Sequence, residues 1–312
     1  MSQMPLIVIA GPTATGKTSC AVELALRLNG ELIGADSVQV YRGFDIGSAK
    51  PTEEELRGVP HHMIDIRDPD QPLDAGEYAD LARAVIRDVQ SRSRLPIVVG
   101  GTGLWLRALT RGLVALPRPD PELRAWLEAQ ADQLGLAALY ERLQQVDPAT
   151  AENLHSNDRV RIVRALEVYE QTGTPLGVHH ARHALGAPRY EHLFIVVDLP
   201  REVHLDIIRA RTRSMLEAGW VDEVRRLRAR WGEEARPFGS VGYRQILEHL
   251  REEEPLAETE RRIVRATRLY ARRQRTWFAS EPGVGWRTDP QTLLSSEGVR
   301  RIEGYLLRFA PE

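Results

Sequence analysis

The sequence predicts an α/β fold, a parallel sheet flanked by helices, with an inserted all-helical domain. The first observation is a series of short apolar runs, typical of strands buried on both faces of a parallel sheet. These predicted strands are Leu6–Ala10, Glu31–Asp36, His62–Ile66, Pro96–Gly101 and Leu193–Leu199. The second observation is that no strand-like run occurs from 117 to about 190, where the pattern is helical. An all-helical domain inserted into an α/β core accounts for both observations.

Helical stretches with polar and apolar faces lie between the predicted strands. In the core they are Ser19–Leu28, Ala75–Ser91, Leu104–Thr110, and the arginine-rich Arg201–Arg230 and Glu258–Phe278. In the insert they are Glu122–Leu134, Leu136–Gln144 and Asp158–Thr172. Residues 41–60 are rich in glycine, proline and charge, which predicts a loop. We therefore assign 1–116 and 192–312 to the core and 117–191 to the insert.

The overall charge of the 312-residue chain conceals a basic segment. Its 42 basic and 44 acidic side chains give a formal charge of −2, which argues against a polybasic protein. Residues 201–275 nevertheless carry 18 basic and 13 acidic groups, a net +5 that suits a polyanionic partner. All basic residues other than Lys17 and Lys50 are arginine.

Cysteine content and hydropathy indicate the compartment. The single cysteine, Cys20, excludes an internal disulfide and a cysteine-based zinc site, and it suits a reducing environment. No run of about 18 apolar residues is present, so the sequence predicts no membrane span. The apolar run Leu6–Ala10 is too short for the core of a signal peptide. We expect a monomer in the cytoplasm.

The segment after the first predicted strand matches the phosphate-binding motif G-x-x-x-x-G-K-[ST] in full. Its residues are Gly11, Pro12, Thr13, Ala14, Thr15, Gly16, Lys17 and Thr18. The glycines bring backbone N–H groups close to phosphate oxygens, and the N-terminus of the next helix faces the anion. Lys17 adds a positive charge, and the Thr18 hydroxyl is predicted to hold Mg²⁺. The motif predicts a P-loop NTPase-like sheet and a diphosphate or triphosphate ligand, without specifying ATP.

Two further segments follow predicted strands, at the edge where open α/β sheets place their ligands. The first is Asp36, Ser37, Val38 and Gln39, in which Asp36 is a candidate metal ligand or base and a turn-capping role is the alternative. Gln39 carries a donor and an acceptor, which suits an adenine edge, although taken alone it is more typical of a solvated loop residue. Thr102 follows a glycine pair in a tight turn, and its hydroxyl is either functional or a cap.

Three arginine clusters offer candidate phosphate contacts. They are Arg159, Arg161 and Arg164 in the insert, Arg209, Arg211 and Arg213 in the core, and Arg261, Arg262, Arg265, Arg268, Arg272, Arg273 and Arg275 near the C-terminus. Each cluster alone is consistent with a solvated helix face. Together with the aromatic residues Tyr243, Trp277 and Phe278, they favour RNA, which is bound by stacking and by arginine on phosphate.

Other conspicuous side chains are interpreted as structural. His61 and His62 are adjacent in the sequence and make a poor metal pair without further ligands. Trp105, Trp126 and Trp220 lie in helical patterns and are predicted to be core residues.

Taken together, these motifs resemble those of the tRNA dimethylallyltransferase (isopentenyltransferase, IPP transferase) family. The segments that carry the resemblance occur in order over about 270 residues and are Gly11–Thr18, Asp36–Thr52, His61–Pro69, Val98–Leu104, Arg161–Val168, Val241–Gln245 and Thr267–Trp277. The middle segments are more specific than the phosphate loop, because generic kinases lack them. The resemblance implies transfer of a dimethylallyl group from dimethylallyl diphosphate to the exocyclic N6 of the adenosine 3′ of the anticodon, tRNA position 37, with release of diphosphate.

The resemblance also implies roles for individual residues. Asp36 would accept a proton from the adenine amine, a weak nucleophile, while Lys17, Arg211, Thr102 and Mg²⁺ would act on the departing diphosphate. The residues implied to bind the tRNA are Asp36, Ser37, Val38, Gln39, Thr102, Arg124, Val160, Arg161, Ile162, Val163, Arg164, Gly239, Ser240, Val241, Gly242, Tyr243 and Arg244. The helical insert would clamp the anticodon stem-loop, and the acceptor base would be extruded into the site.

The resemblance has one departure and leaves three alternatives open. Arg272 stands where the family often has lysine, so the charge is kept. Eukaryotic relatives often add a C-terminal zinc finger, which a chain with Cys20 alone cannot form, so the bacterial type is favoured. The alternatives are prenylation of free adenine nucleotides, phosphoryl transfer by a nucleoside or small-molecule kinase, and RNA binding without catalysis. Both a concerted transfer and one through an allylic cation fit these residues.

Overall fold

A parallel sheet forms the centre of the protein, which the computed structural model describes over residues 5–182 and 188–309. The strands are β1 (Leu6–Ala10), β2 (Gly30–Gly34), β3 (His61–His62), β4 (Leu95–Gly100), β5 (His192–Val197) and β6 (Val284–Thr288). Neighbouring strands are all parallel, in the spatial order β3-β2-β4-β1-β5-β6. Ile7 of β1 lies beside Ile97 on one side and Leu193 on the other. The predicted α/β fold class, a parallel sheet flanked by helices, is confirmed.

The described helices account for most of the remaining chain. They are α1 (Lys17–Leu28), α2 (Glu53–Leu56), α3 (Ala75–Ser91), α4 (Gly103–Thr110), α5 (Pro121–Leu134), α6 (Leu136–Val146), α7 (Pro148–Glu152), α8 (Arg159–Thr172), α9 (Leu176–Arg182), α10 (Arg201–Glu217), α11 (Trp220–Trp231), α12 (Tyr243–Glu252), α13 (Leu256–Ala279), α14 (Pro290–Leu294) and α15 (Ser296–Leu307), with a 3₁₀ helix at Arg236–Gly239. Within residues 5–182 and 188–309, none of these helices combines the length and apolar character that crossing a membrane requires.

The chain divides into two units. The first comprises Met1–Thr110 and Pro188–Glu312 and contains the sheet. The second is Arg111–Ala187, and its described elements are the helices α5 to α9 around a core that includes Leu127, Leu143 and Ile162. The sequence placed the corresponding boundaries at 117 and 191.

The burial of the strands explains why their sequences are unbroken apolar runs. Every residue of β1, β2 and β4 is buried, since helices cover both faces of these strands. On one face, α1 contributes Cys20 and Leu24 to a cluster that also contains Ile97 and Ile302. The carboxyl ends of β1, β2 and β4 therefore meet at one edge of a rigid core, which is where the phosphate loop begins.

Some elements differ from the sequence-based prediction for local reasons. The predicted long helix Arg201–Arg230 is two helices, because Gly219 adopts a left-handed conformation (φ 94°) between α10 and α11. Strand β6 was not predicted, since it is a sheet edge whose residues alternate between partly buried and exposed. Trp105 and Trp220 are core residues as predicted, but Trp126 is 46% exposed.

Candidate active site

The phosphate loop connects β1 to α1 at the carboxyl edge of the sheet. At its start, Gly11 lies so close to β5 that a Cβ there would sit 2.1 Å from the Val197 carbonyl oxygen. Inside the loop, the Thr15 hydroxyl donates to the Pro12 carbonyl at 2.9 Å, and Lys17 Nζ donates to the same oxygen at 3.1 Å. The loop is therefore held in a closed turn that carries Lys17 at the N-terminus of α1, the arrangement that favours an anion.

Thr13 is tied to two helices from the C-terminal half of the chain. Its N–H donates to Gln274 Oε1 of α13 at 2.8 Å, and its carbonyl oxygen lies 2.8 Å from His204 Nε2 of α10. Arg275 donates to His204 Nδ1, so Nε2 carries the proton that His204 donates to Thr13, and burial lowers the pKa of His204. The Thr13 N–H is engaged by Gln274 in this structure, which leaves the amides of residues 14–18 for the anion, and phosphate binding by Thr13 stays a prediction.

Two cavities meet at this edge of the sheet. The larger, about 680 Å³, is lined by Gly16, Lys17 and Thr18 of the phosphate loop, and the smaller, about 310 Å³, by residues that include Val38 and Val241. The residues common to both linings are Thr13, Ala14, Asp36, Ser48, Arg211 and Met215. A phosphate-binding space and a second space therefore share a boundary that carries one carboxylate and one guanidinium.

Asp36 lies two residues beyond β2, at the boundary of the two cavities. Its Oδ1 accepts hydrogen bonds from the N–H groups of Val38 (2.9 Å) and Gln39 (3.3 Å), which closes a turn on the aspartate itself. The Oδ2 oxygen takes no part in this turn. The sequence left open whether Asp36 caps a turn or serves as a base or metal ligand. Both roles fit this geometry, since Oδ1 caps the turn while Oδ2 is available to a ligand.

Thr102 lies behind the Asp36 turn. Its Oγ1 accepts a hydrogen bond from Ser37 N–H at 3.1 Å, and its own N–H donates to the Ala35 carbonyl at 3.2 Å. Among the described residues that line the two cavities, Thr102 is not included. In this structure the Thr102 hydroxyl holds the segment that carries Asp36, and its hydrogen bond to the diphosphate stays a prediction.

Gln39 has a fixed amide orientation. Its Nε2 donates to the carbonyl oxygens of Ser48 and Ala49, both at 3.0 Å. Both amide hydrogens are used in these bonds, so Oε1 alone is left for a ligand. Held in this way, Gln39 offers only an acceptor, and its contact with an adenine edge stays a prediction.

Lys17 and Arg211 place two cations beside the Asp36 carboxylate. Burial lowers the pKa of Lys17 to about 8, the charge of Asp36 opposes this shift, and that of Arg211 adds to it. Burial also lowers the pKa of Arg211, again against the attraction of Asp36. Both cations are poorly solvated, so a bound anion gains more from them than it would from exposed side chains.

This environment predicts a pH dependence for anion binding. We expect inorganic diphosphate to bind more weakly as the pH rises above about 8, the pKa of Lys17, because the ammonium that attracts it is lost. The loss should approach about tenfold per pH unit, as for linkage to one proton. Titration calorimetry from pH 6.5 to 9.5 checks this, and Lys17→Arg, which stays charged, controls for the titration of diphosphate itself. Parallel pH profiles for the two proteins would contradict the assignment.

The adjacent histidines have different environments. His62 Nε2 lies 2.7 Å from Glu31 Oε2, which is a structural contact as the sequence predicted. His61 lines the larger cavity, and neither of its buried ring nitrogens has a hydrogen-bond partner in the described part of the chain. Burial lowers the pKa of His61 to about 4, so the ring is neutral at neutral pH. His61 was interpreted from the sequence as structural, and its place in the lining of the larger cavity is visible only in the fold, since it is the first residue of β3 and precedes the predicted strand.

In the helical unit, the predicted RNA contacts on α8 separate into buried and exposed residues. Ile162 and Val163 are 0% and 1% exposed and pack in the core of this unit, so the prediction that they contact RNA is wrong for their side chains. Val160 is 77% exposed, and the Arg161 side chain is 67% exposed. The exposed face of the first turn of α8 is what this segment offers to a partner.

Three other arginines that the sequence singled out in this unit, Arg124, Arg159 and Arg164, are engaged with carboxylates. Arg124 and Arg164 each donate to Glu167 Oε2 at 2.7 Å, and Glu167 is fully buried. Arg159 pairs with Glu128 and Asp132. These contacts brace α5 against α8, and only part of the Arg124 side chain, 42%, is exposed.

The segment 239–244 also divides between the cavity and the core. Gly239, Ser240 and Val241 line the smaller cavity, and the Arg244 side chain is 61% exposed. Tyr243 is 1% exposed and donates its hydroxyl to Glu223 at 2.7 Å. The prediction that Tyr243 contacts tRNA is therefore wrong for its side chain, because that side chain is committed to the interior.

Helix α13 presents different residues on opposite faces. Ile263, Thr267 and Tyr270 line the smaller cavity and share one face at helical spacing. Arg265, Arg268 and Arg272, which we call the arginine stripe, are exposed and lie about 140–200° around the helix from Ile263. Within residues 5–182 and 188–309 the stripe has no ion pair. Of the other four arginines in this cluster, Arg261, Arg262 and Arg275 pair with acids, and Arg273 lines the smaller cavity. The stripe therefore faces away from the smaller cavity.

Comparison with known proteins identifies the family. The IPP transferase family model matches residues 39–281. A tRNA dimethylallyltransferase of Syntrophobacter fumaroxidans is 49% identical over 284 residues, which is 91% of this chain and 83% of that protein. One of Anaeromyxobacter dehalogenans is 47% identical, covering 96% of this chain and 99% of that protein.

Comparison with solved structures points to the same family. The full-length tRNA isopentenylpyrophosphate transferase of Bacillus halodurans is similar with a TM-score of 0.72 and 37% identity, covering 98% of each chain. A eukaryotic dimethylallyltransferase, solved in the course of acting on tRNA, is similar with a TM-score of 0.81 and 26% identity over 98% of this chain and 80% of that one. The resemblance predicted from the sequence is confirmed, and this chain belongs to the IPP transferase family, among proteins named as tRNA dimethylallyltransferases.

Proposed function

We propose that this protein transfers the dimethylallyl group of dimethylallyl diphosphate to the exocyclic N6 of an adenosine in tRNA, at position 37. The observation that carries the proposal is that two cavities meet at Asp36, and that the phosphate loop lines the larger of them. The donor's diphosphate occupies the larger cavity, and the acceptor base enters the smaller one. The reacting carbon and nitrogen then meet beside Asp36 and Arg211. Transfer between two bound substrates needs this shared boundary, whereas phosphate hydrolysis does not.

The chemistry assigns a step to each charged group. The N6 lone pair is delocalised into the purine ring, so it attacks the allylic carbon of the donor only as its proton is removed. Asp36 Oδ2 accepts that proton while the N6–C bond forms and the C–O bond to diphosphate breaks. The electron pair of the C–O bond leaves on diphosphate, where Lys17, Arg211 and the amides of residues 14–18 stabilise the new charge.

We further propose Mg²⁺ as the cofactor. Among residues 5–182 and 188–309, no three histidine, cysteine, aspartate or glutamate side chains are grouped to hold a metal. The Thr18 hydroxyl, which lines the larger cavity at the start of α1, fits a metal that takes its other ligands from phosphate and water. Bound there, Mg²⁺ supplies positive charge to the leaving diphosphate.

One assay tests the function. The protein is incubated with Mg²⁺, labelled dimethylallyl diphosphate and unmodified tRNA, with AMP and ATP as acceptors in parallel reactions. We expect label on the tRNA alone, lost when the target adenosine is replaced by guanosine. Label on AMP without tRNA would identify a nucleotide prenyltransferase, and phosphate transfer from ATP without prenylation would identify a kinase. If the protein bound RNA but catalysed neither reaction, it would be an RNA-binding protein without this activity.

The arginine stripe predicts how the tRNA is held. If Arg265, Arg268 and Arg272 contact phosphates of the tRNA, replacing all three by glutamine should lower the slope of log Kd against log salt by about 2–3. Filter binding between low and moderate salt measures this slope. The control replaces three arginines that are paired with acids, Arg225, Arg228 and Arg251, and should change the slope less. An unchanged slope in the stripe variant would show that the stripe is a solvated face.

We also propose that the protein acts as a monomer in the cytoplasm. Its proposed tRNA substrate and its one free cysteine, Cys20, support the compartment. Sedimentation equilibrium at the concentration of the transfer assay checks the oligomeric state.

A further inference from the structure

Glu223 is a buried carboxylate outside the set of charges that faces the two cavities. It lies on α11 and is 3% exposed. Its Oε2 accepts from the N–H groups of Asp45 (3.1 Å) and Ile46 (2.7 Å), and its Oε1 accepts from Gly47 N–H (3.3 Å) and the Tyr243 hydroxyl (2.7 Å). A single side chain therefore binds three consecutive backbone amides of the loop 45–49.

Tyr243 donates the remaining hydrogen bond to Glu223, and its hydroxyl stays protonated. Burial and the neighbouring Glu223 charge raise the pKa of Tyr243 well above its usual value, so its hydroxyl keeps its proton. Its ring packs on Phe44, with centroids 4.8 Å apart, just before the loop. Glu223 thus joins α11, the loop 45–49 and the start of α12.

Trp220 fills the space between the same segments. A Cβ on Gly47 would sit 2.0 Å from Trp220 Nε1, and one on Gly242 would sit 2.0 Å from the far edge of the same ring. Gly242 also has a φ of 91°. The indole therefore lies directly against two backbone segments, which leaves the loop no room to move toward α11. Trp220 is also part of the wall of the smaller cavity.

The loop reaches the reaction centre through Gln39. Gly47 and Ser48 line the smaller cavity, and the Ser48 and Ala49 carbonyls hold both amide hydrogens of Gln39. The Gln39 backbone N–H in turn donates to Asp36 Oδ1. The hydrogen bonds of the Gln39 side chain and backbone therefore connect the loop 45–49 to Asp36.

We propose that Glu223 is a positioning residue for the transfer reaction, which holds the loop 45–49 so that the acceptor pocket and Asp36 keep their geometry. This rests on the function proposed above. Glu223 is not among the residues that line either cavity, and it acts through the backbone amides it binds. The phosphate loop receives none of the hydrogen bonds of Glu223, although Asp45, Ile46, Ser48 and Ala49 also line the larger cavity, so diphosphate binding should be affected much less than transfer to tRNA.

Three variants test the proposal. Glu223→Ala removes every acceptor from the amides and should lower kcat/KM for tRNA by about 10²-fold, the cost of misplacing reacting groups by about 1 Å. Glu223→Gln keeps one oxygen for the Asp45 and Ile46 amides and turns its NH₂ toward the Tyr243 oxygen, but it loses the long bond from Gly47 N–H, so it should stay within about tenfold of the wild type. Tyr243→Phe removes one donor and should fall between them. In all three, the Ki of inorganic diphosphate should change by less than about threefold, a scale set by the loss of less than one hydrogen bond.

The matched control is Glu281→Ala. Glu281 is also buried, at 6% exposure, and is paired with Arg107, away from both cavities. We expect it to lower the melting temperature without the loss in kcat/KM for tRNA. The proposal is overturned if Glu223→Ala leaves kcat/KM unchanged, or if Glu281→Ala causes the same loss. Should the wild-type protein not prenylate tRNA, the function fails, and the effect of Glu223→Ala on the Kd of an anticodon stem-loop still decides the role of Glu223.

Discussion

Replacing Asp36 by asparagine is expected to reduce turnover by about 10²–10⁴-fold, the usual contribution of a general base, while tRNA binding is kept. Asparagine can still present Oδ1 to the Val38 and Gln39 amides, so the turn that shapes this segment survives. Its Nδ2 then replaces the Oδ2 oxygen and cannot accept the proton of the adenine amine. Single-turnover prenylation of tRNA with saturating donor measures the loss.

Two comparisons make this result specific. Asp36→Ala removes the turn as well as the base, so the difference between the two variants reports the contribution of the turn. Asp36 also raises the pKa of Lys17, so the Ki of diphosphate is measured in parallel at neutral pH. If Asp36→Asn retained wild-type turnover, Asp36 would not be the proton acceptor.

Replacing Arg211 by glutamine is expected to lower kcat by about 10²–10³-fold, the cost of removing one donor to a developing anion. Arg211 borders both cavities and is poorly solvated, so its charge acts on the diphosphate oxygen as the C–O bond breaks. The measurement is steady-state kcat with saturating donor and tRNA, together with the Ki of diphosphate.

Helix α10 provides matched controls for this variant. Arg209 and Arg213 flank Arg211 in sequence, but their side chains are 59% and 68% exposed and pair with Asp206 and Glu260. Arg209→Gln and Arg213→Gln remove the same formal charge from the same helix and should leave kcat within about twofold, as expected for exposed pairs. An equal loss in all three variants would mean that the overall charge of α10, rather than the position of Arg211, matters.

Local sequence was sufficient for the fold class and for one half of the site. An apolar run buried on both faces has few alternatives to a parallel strand, and the glycines, Lys17 and Thr18 act within eight consecutive residues. The motif order likewise identified the family, which the relatives confirm. Asp36 was found because it follows a strand, and the edge of a parallel sheet is where ligands bind.

Other residues could not be assigned from local sequence, because their roles depend on distant partners. Whether the Thr13 amide is available depends on Gln274, 261 residues away. The position of Thr102 behind Asp36 depends on its bond to Ser37, 65 residues earlier in the chain. Ile162 and Val163 look like their neighbours in a basic helix, and only the packing of the insert shows that they are buried.

The sequence by itself determined the sheet, the phosphate loop and the family, because each depends on residues that are close in the chain. The tertiary structure decided which polar groups are free to act and which are already satisfied. One oxygen of Asp36 is consumed by its own turn and the other is available, and Glu223 is committed to the amides of a loop about 180 residues earlier. The physical reason is that a buried polar group takes its partner from whatever the fold brings within about 3 Å, regardless of sequence separation.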